Sequence, residues 1–447
     1  MLGFFLEKFV LPFGDWYFKT EFMKTLKEYR KIPFRSKHEL DALQETRLNA
    51  IMKYAKENVP FYQKLEFVLT GNALEDIKKF PIIHKSTLRE VGKELVVGSL
   101  EGKDIICQKS SGSSGLQSEI FLTQREYLRG QAVQTSFWEW GGFRIGGKIL
   151  QLGMSPKRSF MKRMKDIFLR TDYQLAYNIS DEVVKKALLK NEKRNPDFFI
   201  GYASALYGYA QKAEQLGITG IKFKSVISLG DKMFPHYREK IEKVFHTKVF
   251  DTYGCTEGFM MASQCEMGNY HQISAQNYLE LLDESGNPVP DGEPGFVVVT
   301  RLDAHKMPLI RFYLGDIAIR PKNPQPCACG RNFPLLEKIV GRDTDLVKTP
   351  SGKILIVHFF TGIWEYFQEI YQFRVIQHQL DRFEIEYIPD PSTFKPEVLS
   401  RIHQIMNDKA GEVLQITFKQ VDQIPATKSG KPQIILSTLE KTVSNNL

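Results

Sequence analysis

Apolar positions recur at helical spacing through the first 65 residues. Phe18, Phe22, Leu26 and Tyr29 fall on one helical face, as do Leu43, Leu48, Ile51 and Met52. Asn58-Val59-Pro60 ends the second run, because the residue before proline is pushed out of the helical region. From about residue 100 the pattern changes to short apolar runs punctuated by glycine: KILQLGM, FFIGYAS, SVISLGD, KVFDTYG and GFVVVT. Several precede helix-like stretches such as Pro235–Phe245, an alternation that predicts an α/β domain with parallel sheet elements. After Gly341 the texture shifts again. LVKTPSGKILIV reads as extended chain turning at Ser351-Gly352, residues 362–370 as a helix, and FEIEYI and LQITFK as alternating strands. The expectation is a large, multi-sheet α/β domain over residues 1–340 and a small α+β domain over residues 341–447.

Composition narrows the class. The 447 residues are 42% apolar and 25% charged, as in ordinary globular proteins. The net charge of +9 suits phosphorylated ligands or an anionic surface, and is too mild to point to nucleic acid. The longest strongly apolar stretch without a formal charge, residues 198–211, has 14 positions. A membrane span needs about 20, so it reads as a buried helix. At the start, Glu7 and Lys8 split the apolar run of MLGFFLEKFVLPF and no small-residue cleavage site follows, which sets a cytoplasmic location as the expectation. Five cysteines in so long a chain do not make a disulfide scaffold; Cys107 and Cys255 read as ordinary buried thiols.

Five segments carry candidate chemistry. In Ser110-Ser111-Gly112-Ser113-Ser114-Gly115, backbone N–H groups and short hydroxyls can wrap phosphate oxygens where larger side chains would clash, or the segment is a flexible surface loop. Glu119–Leu122 behind it reads as a strand. In Asp251-Thr252-Tyr253-Gly254-Cys255-Thr256-Glu257, Tyr253 can stack on a base, Thr256 can bond a phosphate and Glu257 can hold Mg²⁺. The plain alternative is a helix start capped by Thr256 and Glu257. In Arg311-Phe312-Tyr313-Leu314-Gly315-Asp316, the aspartate can accept ribose hydroxyls or simply satisfy a turn. Gly341-Arg342-Asp343-Thr344-Asp345 lies at the expected domain boundary, and Pro425-Ala426-Thr427-Lys428-Ser429-Gly430-Lys431 places a compact cation on a flexible loop.

In this order the five segments resemble the adenylate-forming superfamily of acyl-CoA ligases, and within it the phenylacetate–CoA ligase-like branch that includes capsule-biosynthesis proteins. The resemblance spans roughly residues 40–440. It implies ATP-dependent adenylation of a carboxylic acid, then transfer to CoA; an amine of a sugar or amino acid in cell-surface polysaccharide synthesis is the alternative acceptor. A non-catalytic nucleotide-binding scaffold is a further alternative. By resemblance, Ser110, Ser111, Gly112, Ser113, Ser114 and Gly115 embrace the β- and γ-phosphates, and Gly230-Asp231 lines the adenine pocket. Tyr253-Gly254 packs on adenine, Thr256 contacts the α-phosphate and Glu257 ligates Mg²⁺. Asp316 and Arg342 hold the ribose, and Lys431, on a mobile lid, stabilises the charge that develops at the α-phosphorus. The chain departs from the family at Leu116 (usually lysine), Asp231 (commonly glutamate) and Thr344 (frequently aspartate).

Cys265-x5-His271 is followed, 56 positions after the histidine, by Cys327-x-Cys329-Gly330-Arg331. Three thiolates and one imidazole are a tetrahedral zinc set with no position open for water, hence a structural Zn²⁺; three reduced cysteines beside an incidental histidine are the alternative. Residues 157–170, KRSFMKRMKDIFLR, carry six basic side chains against Asp166, with Phe160, Met164, Ile167 and Phe168 as an apolar stripe. Such a helix suits a membrane surface or a polyanion, or packs on the domain with a solvated basic face, the reading preferred here. The aromatic-rich segment 1–22 is suited to docking on this protein or on a membrane, and a peripheral inner-membrane or polysaccharide-assembly contact is the corresponding partner expectation. Residues 137–140 and 202–209 carry aromatics that suit an acyl pocket but fit core equally.

Overall fold

In the computed structural model, the residues described are 2–102, 104–109, 119–153, 158–176, 180–218, 220–342, 346–364, 366–367, 369–425 and 434–439. The chain opens with helices. Leu2–Phe5, a π-helical segment Leu6–Val10 and Leu11–Phe18 run on without a break, since Phe5, Val10 and Leu11 all keep right-handed helical dihedrals. Phe22–Tyr29 and Lys37–Asn58 follow, the latter opened by a Ser36/Glu39 capping box. Val59 turns extended before Pro60, as the proline requires.

The short apolar runs become an eight-stranded sheet. Five neighbouring strands, Val249–Cys255, Ser225–Leu229, Phe198–Tyr202, Ile149–Gly153 and Thr171–Leu175, are parallel. Phe259–Gln264, Tyr270–Gln272 and Leu335–Leu336 extend it antiparallel. Asp181–Arg194, Ala203–Gln215 and Pro235–Phe245 pack beside the parallel half, closing a core around Leu150, Phe199, Leu206, Val226 and Ile241. The α/β expectation therefore holds. The stretch 198–211 is corrected: it is a buried strand to Tyr202, then a helix from Ala203. A second, antiparallel sheet runs Asn277–Leu282, Pro294–Arg301, Phe312–Ile319, Lys338–Arg342. Gly341 and Arg342 are thus strand residues of this sheet.

Beyond residue 345, Leu346–Lys348 pairs with Ile354–Ile356. A four-stranded sheet, in the order Gln415–Gln420, Arg382–Pro389, Ile370–Gln377, Ile435–Ser437, carries helices Val357–Trp364 and Glu397–Ala410. The expected helix 362–370 lies earlier, and Ile370 already starts a strand. This part has its own core of Phe360, Trp364, Phe383, Ile402 and Met406, joined by Phe234 from the preceding part. Among the described residues no helix is long and apolar enough to cross a membrane. Cys107 is exposed, contrary to its reading as a buried thiol, because it lies on a two-stranded hairpin; Cys255 packs against the main core.

Candidate active site and metal centre

The serine-glycine segment lies in the sequence between two paired strands. Ile105–Lys109 and Glu119–Thr123 pair antiparallel, from Ile105 opposite Thr123 to Lys109 opposite Glu119. Ser110, Ser111, Gly112, Ser113, Ser114 and Gly115 fall outside the described residues. The base of the hairpin is firmly set. Thr123 caps helix Gln124–Trp138, and the buried Glu126 of its capping box also accepts from the backbone N–H groups of His305 and Lys306.

Thr256 and Glu257 do not start a helix. They sit in the turn between strands Val249–Cys255 and Phe259–Gln264. A side chain on Gly254 would place its Cβ 2.4 Å from the Phe259 carbonyl oxygen, so the close crossing of these strands requires glycine. Phe259 itself adopts φ +57°, which turns the chain back into the second strand. Glu257 is buried, and its Oε1 has no hydrogen-bond partner. A buried carboxylate oxygen left unpaired is costly unless a cation or donor meets it, so this oxygen fits a Mg²⁺ site.

Asp316 is likewise no turn residue but a member of strand Phe312–Ile319. The Tyr253 hydroxyl donates to Asp316 Oδ2 at 2.8 Å, which joins two segments 63 positions apart. In the neighbouring antiparallel strand, Arg342 stands directly opposite Asp316. Burial, and then the Glu257 carboxylate, push the Cys255 thiol well above its ordinary value, and Asp316 adds to the effect. Glu257, Tyr253 and Asp316 therefore share one neighbourhood. Arg311, which opens the third segment, anchors that strand: it makes two 3.0 Å contacts with Glu280 and donates to the Phe80 carbonyl at 3.1 Å.

Gly230 ends strand Ser225–Leu229 with φ +75°. The Asp231 carboxylate accepts from the Ser204 N–H at 3.3 Å and also from Ala203, so it caps helix Ala203–Gln215 from outside that helix. The next residue, Lys232, donates to the Val340 carbonyl and so ties this strand end to the strand that carries Arg342. Thr344 and Lys431 fall outside the described residues. One buried acid in this region went unassigned in the sequence. Asp251 bonds the Tyr270 hydroxyl, its Oδ1 is unpartnered, and burial pushes its carboxyl up to about 6.

Cys265, His271, Cys327 and Cys329 converge, with ligand atoms all within 4.8 Å of one another. Cys265 Sγ and Cys327 Sγ are 3.7 Å apart, and Cys329 Sγ lies 3.3 Å from His271 Nε2. Tetrahedral zinc, with Zn–S near 2.3 Å and Zn–N near 2.0 Å, would set about 3.7 and about 3.5 Å for these pairs. His271 Nδ1 faces the Phe333 carbonyl at 3.3 Å, which orients Nε2 inward. Burial holds His271 down to about 4, so its imidazole is neutral and its lone pair available at neutral pH. Burial also drives Cys265 up to about 12, a cost that a cation among the thiols would remove. Gly268, at φ +83°, donates to the Cys265 carbonyl, and Gly330, at φ +77°, donates to that of Cys327; each shapes a ligand turn. The cluster lies beyond the far end of strand Phe259–Gln264 from Glu257, ~20 Å along the chain at strand rise.

Residues 346–438 match the family model described as CapK C-terminal domain. The chain is 21% identical over 460 residues to the phenylacetate–coenzyme A ligase of Thermus thermophilus, spanning 90% of this chain and 97% of that protein. The solved structure of 2-hydroxyisobutyryl-CoA ligase in the postadenylation state with R3-HIB-AMP matches with TM-score 0.75 at 18% identity, over 91% of each chain. The same ligase in the thioesterification state, with 2-HIB-AMP and CoA, matches with TM-score 0.61.

Proposed function

We infer, for a phenylacetate–CoA ligase-like chain that carries the adenylate-forming fold, that this protein activates a carboxylic acid with ATP and passes the acyl group to CoA. A carboxylate oxygen attacks the α-phosphorus and pyrophosphate leaves; the CoA thiol then attacks the acyl carbon, and AMP leaves with the C–O bond broken. The observation that carries this reading is the Tyr253–Asp316 hydrogen bond with Arg342 opposite, beside the buried, unpaired Oε1 of Glu257. In this reading Asp316 and Arg342 hold the ribose, Tyr253 packs on adenine beside Gly254 and the Gly230-Asp231 strand end, and Glu257 holds Mg²⁺. Thr256, the 110–115 loop and Lys431 take the phosphates, Lys431 from a lid that begins after Arg342. Mg²⁺ would offset phosphate charge that the missing lysine at Leu116 leaves. Cys265, His271, Cys327 and Cys329 hold a structural Zn²⁺, with Cys265 and His271 buried and the other two thiols half-buried.

Pyrophosphate exchange with ATP, Mg²⁺ and a panel of aromatic and short aliphatic acids tests the first half-reaction. Exchange with one or more acids is expected; none with any acid would overturn adenylation. Amines of sugars and amino acids are offered beside CoA as the alternative acceptors. Thioester product with CoA supports the main reading, and amide product alone replaces CoA with an amine.

A further inference from the structure

The N-terminal helix is turned the wrong way round for a helix in water. Its acids point inward. Glu7 pairs with Arg30 at 3.0 Å, Arg30 in turn pairs with Glu139, and Asp15 accepts from the Met23 N–H at 2.7 Å. Leu6 is buried and Leu11 packs on the Met23, Leu26 and Ala132 cluster. Phe4, Phe5, Phe9, Phe13, Trp16 and Tyr17 point outward, between 53% and 75% exposed. The rings lean on each other, Phe5 on Phe9 at 5.6 Å and Phe13 on Trp16 at 5.7 Å. At ordinary aromatic areas they show roughly 700 Å² of mostly apolar surface, more than a monomer usually leaves in water.

A second helix repeats this arrangement. Phe160, Met164, Ile167 and Phe168 follow helical i, i+4, i+7, i+8 spacing, and all four are exposed. The expectation that this stripe packs on the domain is overturned. Asp166 is neutralised by Arg158, whose guanidinium also lies over Tyr173 at 4.0 Å. Lys162, Arg163 and Lys165 are exposed and form no ion pair with another described residue. The first helix and the segment that follows the second adjoin one turn. A Cβ on Gly146 would lie 2.7 Å from the Gly3 backbone nitrogen, and Arg170, two positions past Phe168, donates to the Gly146 carbonyl at 3.2 Å.

We propose that these two outward apolar faces, with the basic side chains beside them, seat the protein in the interfacial plane of an anionic lipid bilayer. Charge decides between occupants. A two-fold contact with a second copy would bring Lys162, Arg163 and Lys165 of both copies toward one another, whereas anionic headgroups neutralise them. Trp16 and Tyr17 present apolar rings with polar tips, the side chains that favour the headgroup boundary. Neither helix spans, so the protein lies on the surface rather than through it.

The test is sedimentation of the full chain with vesicles of phosphatidylcholine alone, or with phosphatidylglycerol mixed in. Binding to the anionic vesicles, weakened by salt, is the expected result. Phe9→Ser/Phe13→Ser/Trp16→Ser should weaken it at least about tenfold. Lys162→Glu/Arg163→Glu/Lys165→Glu should weaken it about fivefold or more per charge. Both triple variants should keep the wild-type melting temperature, since the altered side chains are exposed. Absence of vesicle binding by the folded wild type would overturn the proposal. So would undiminished binding by both triple variants, or a dimer in vesicle-free solution that the aromatic variant abolishes. These readouts measure lipid binding alone, so they stand apart from success or failure of the adenylation assay.

Discussion

Tyr253 shows how much one hydroxyl carries. Its hydrogen bond to Asp316 is between a phenol and a carboxylate, a class worth about 1.5–3 kcal/mol. Tyr253→Phe keeps the ring and removes the bond, so the expected outcome is a KM for ATP raised about tenfold or more, with a small change in kcat. Steady-state kinetics at varied ATP checks it, and an unchanged KM would refute the coupling. Asp251 makes a pH prediction. Its carboxyl titrates near 6 when folded, against 3.8 for the ordinary group. The native state therefore holds the extra proton between those values. The stability it contributes is full below about 3.8 and is lost as pH rises through about 6, about 3 kcal/mol in all. Asp251→Asn has no proton to lose and should flatten this part of the pH profile. Urea unfolding of both proteins at about pH 4 and about pH 8 measures the difference; parallel profiles would exclude Asp251 as the source. The residue types at both positions were legible in the sequence, but their contacts were not, because the partners lie 63 and 19 positions away.

Elements were read well where periodicity and punctuation agree. The helix Lys37–Asn58 and the strands ending in glycine follow from apolar spacing, proline and glycine alone. Residues 198–211 misled because a buried strand running into a buried helix is apolar throughout, and period cannot divide such a run. At Thr256-Glu257 the sequence left a capped helix start as the alternative: capping residues also suit tight hairpins, and only the Gly254–Phe259 crossing distinguishes the two. Gly254→Ala should therefore cost about 1–3 kcal/mol through overpacking, seen as a lowered melting temperature, with an accompanying loss of ATP binding. At the other end of the same strand, the cysteine–histidine cluster joins two ligand turns. Purified protein should hold about one zinc per chain. Cys329→Ser should lower both zinc content and melting temperature, the latter by at least about 5 °C. Metal-free protein by elemental analysis, with an unaltered mutant melt, would reject the site.

At the scale of the molecule, Lys431 lies 115 positions beyond Asp316, so the large part would bind nucleotide and the small part would complete it. Lys431→Ala should slow acyl-AMP formation about 10²–10³-fold while ATP binding persists. Transfer from supplied acyl-AMP should suffer less. Thr344→Pro restricts the backbone between the strand of Arg342 and that of Leu346, and should impair transfer more than adenylation. Single-turnover assays of both half-reactions decide it, and equal losses in Lys431→Ala would end the division of labour. The order of the five segments, the α/β alternation and the smaller α+β end were determined by the sequence itself, since each rests on local spacing or on residue type within a few positions. The partners of Tyr253, the convergence of Cys265 and His271 on Cys327 and Cys329, and the outward turn of the N-terminal aromatics were decided only by the tertiary structure. Periodicity shows that a helix has two faces; which one meets the protein depends on what the rest of the chain offers. Here Arg30 and the Phe22 and Met23 backbone amides offer partners for Glu7 and Asp15, and so the acids turn inward and the rings stay outside.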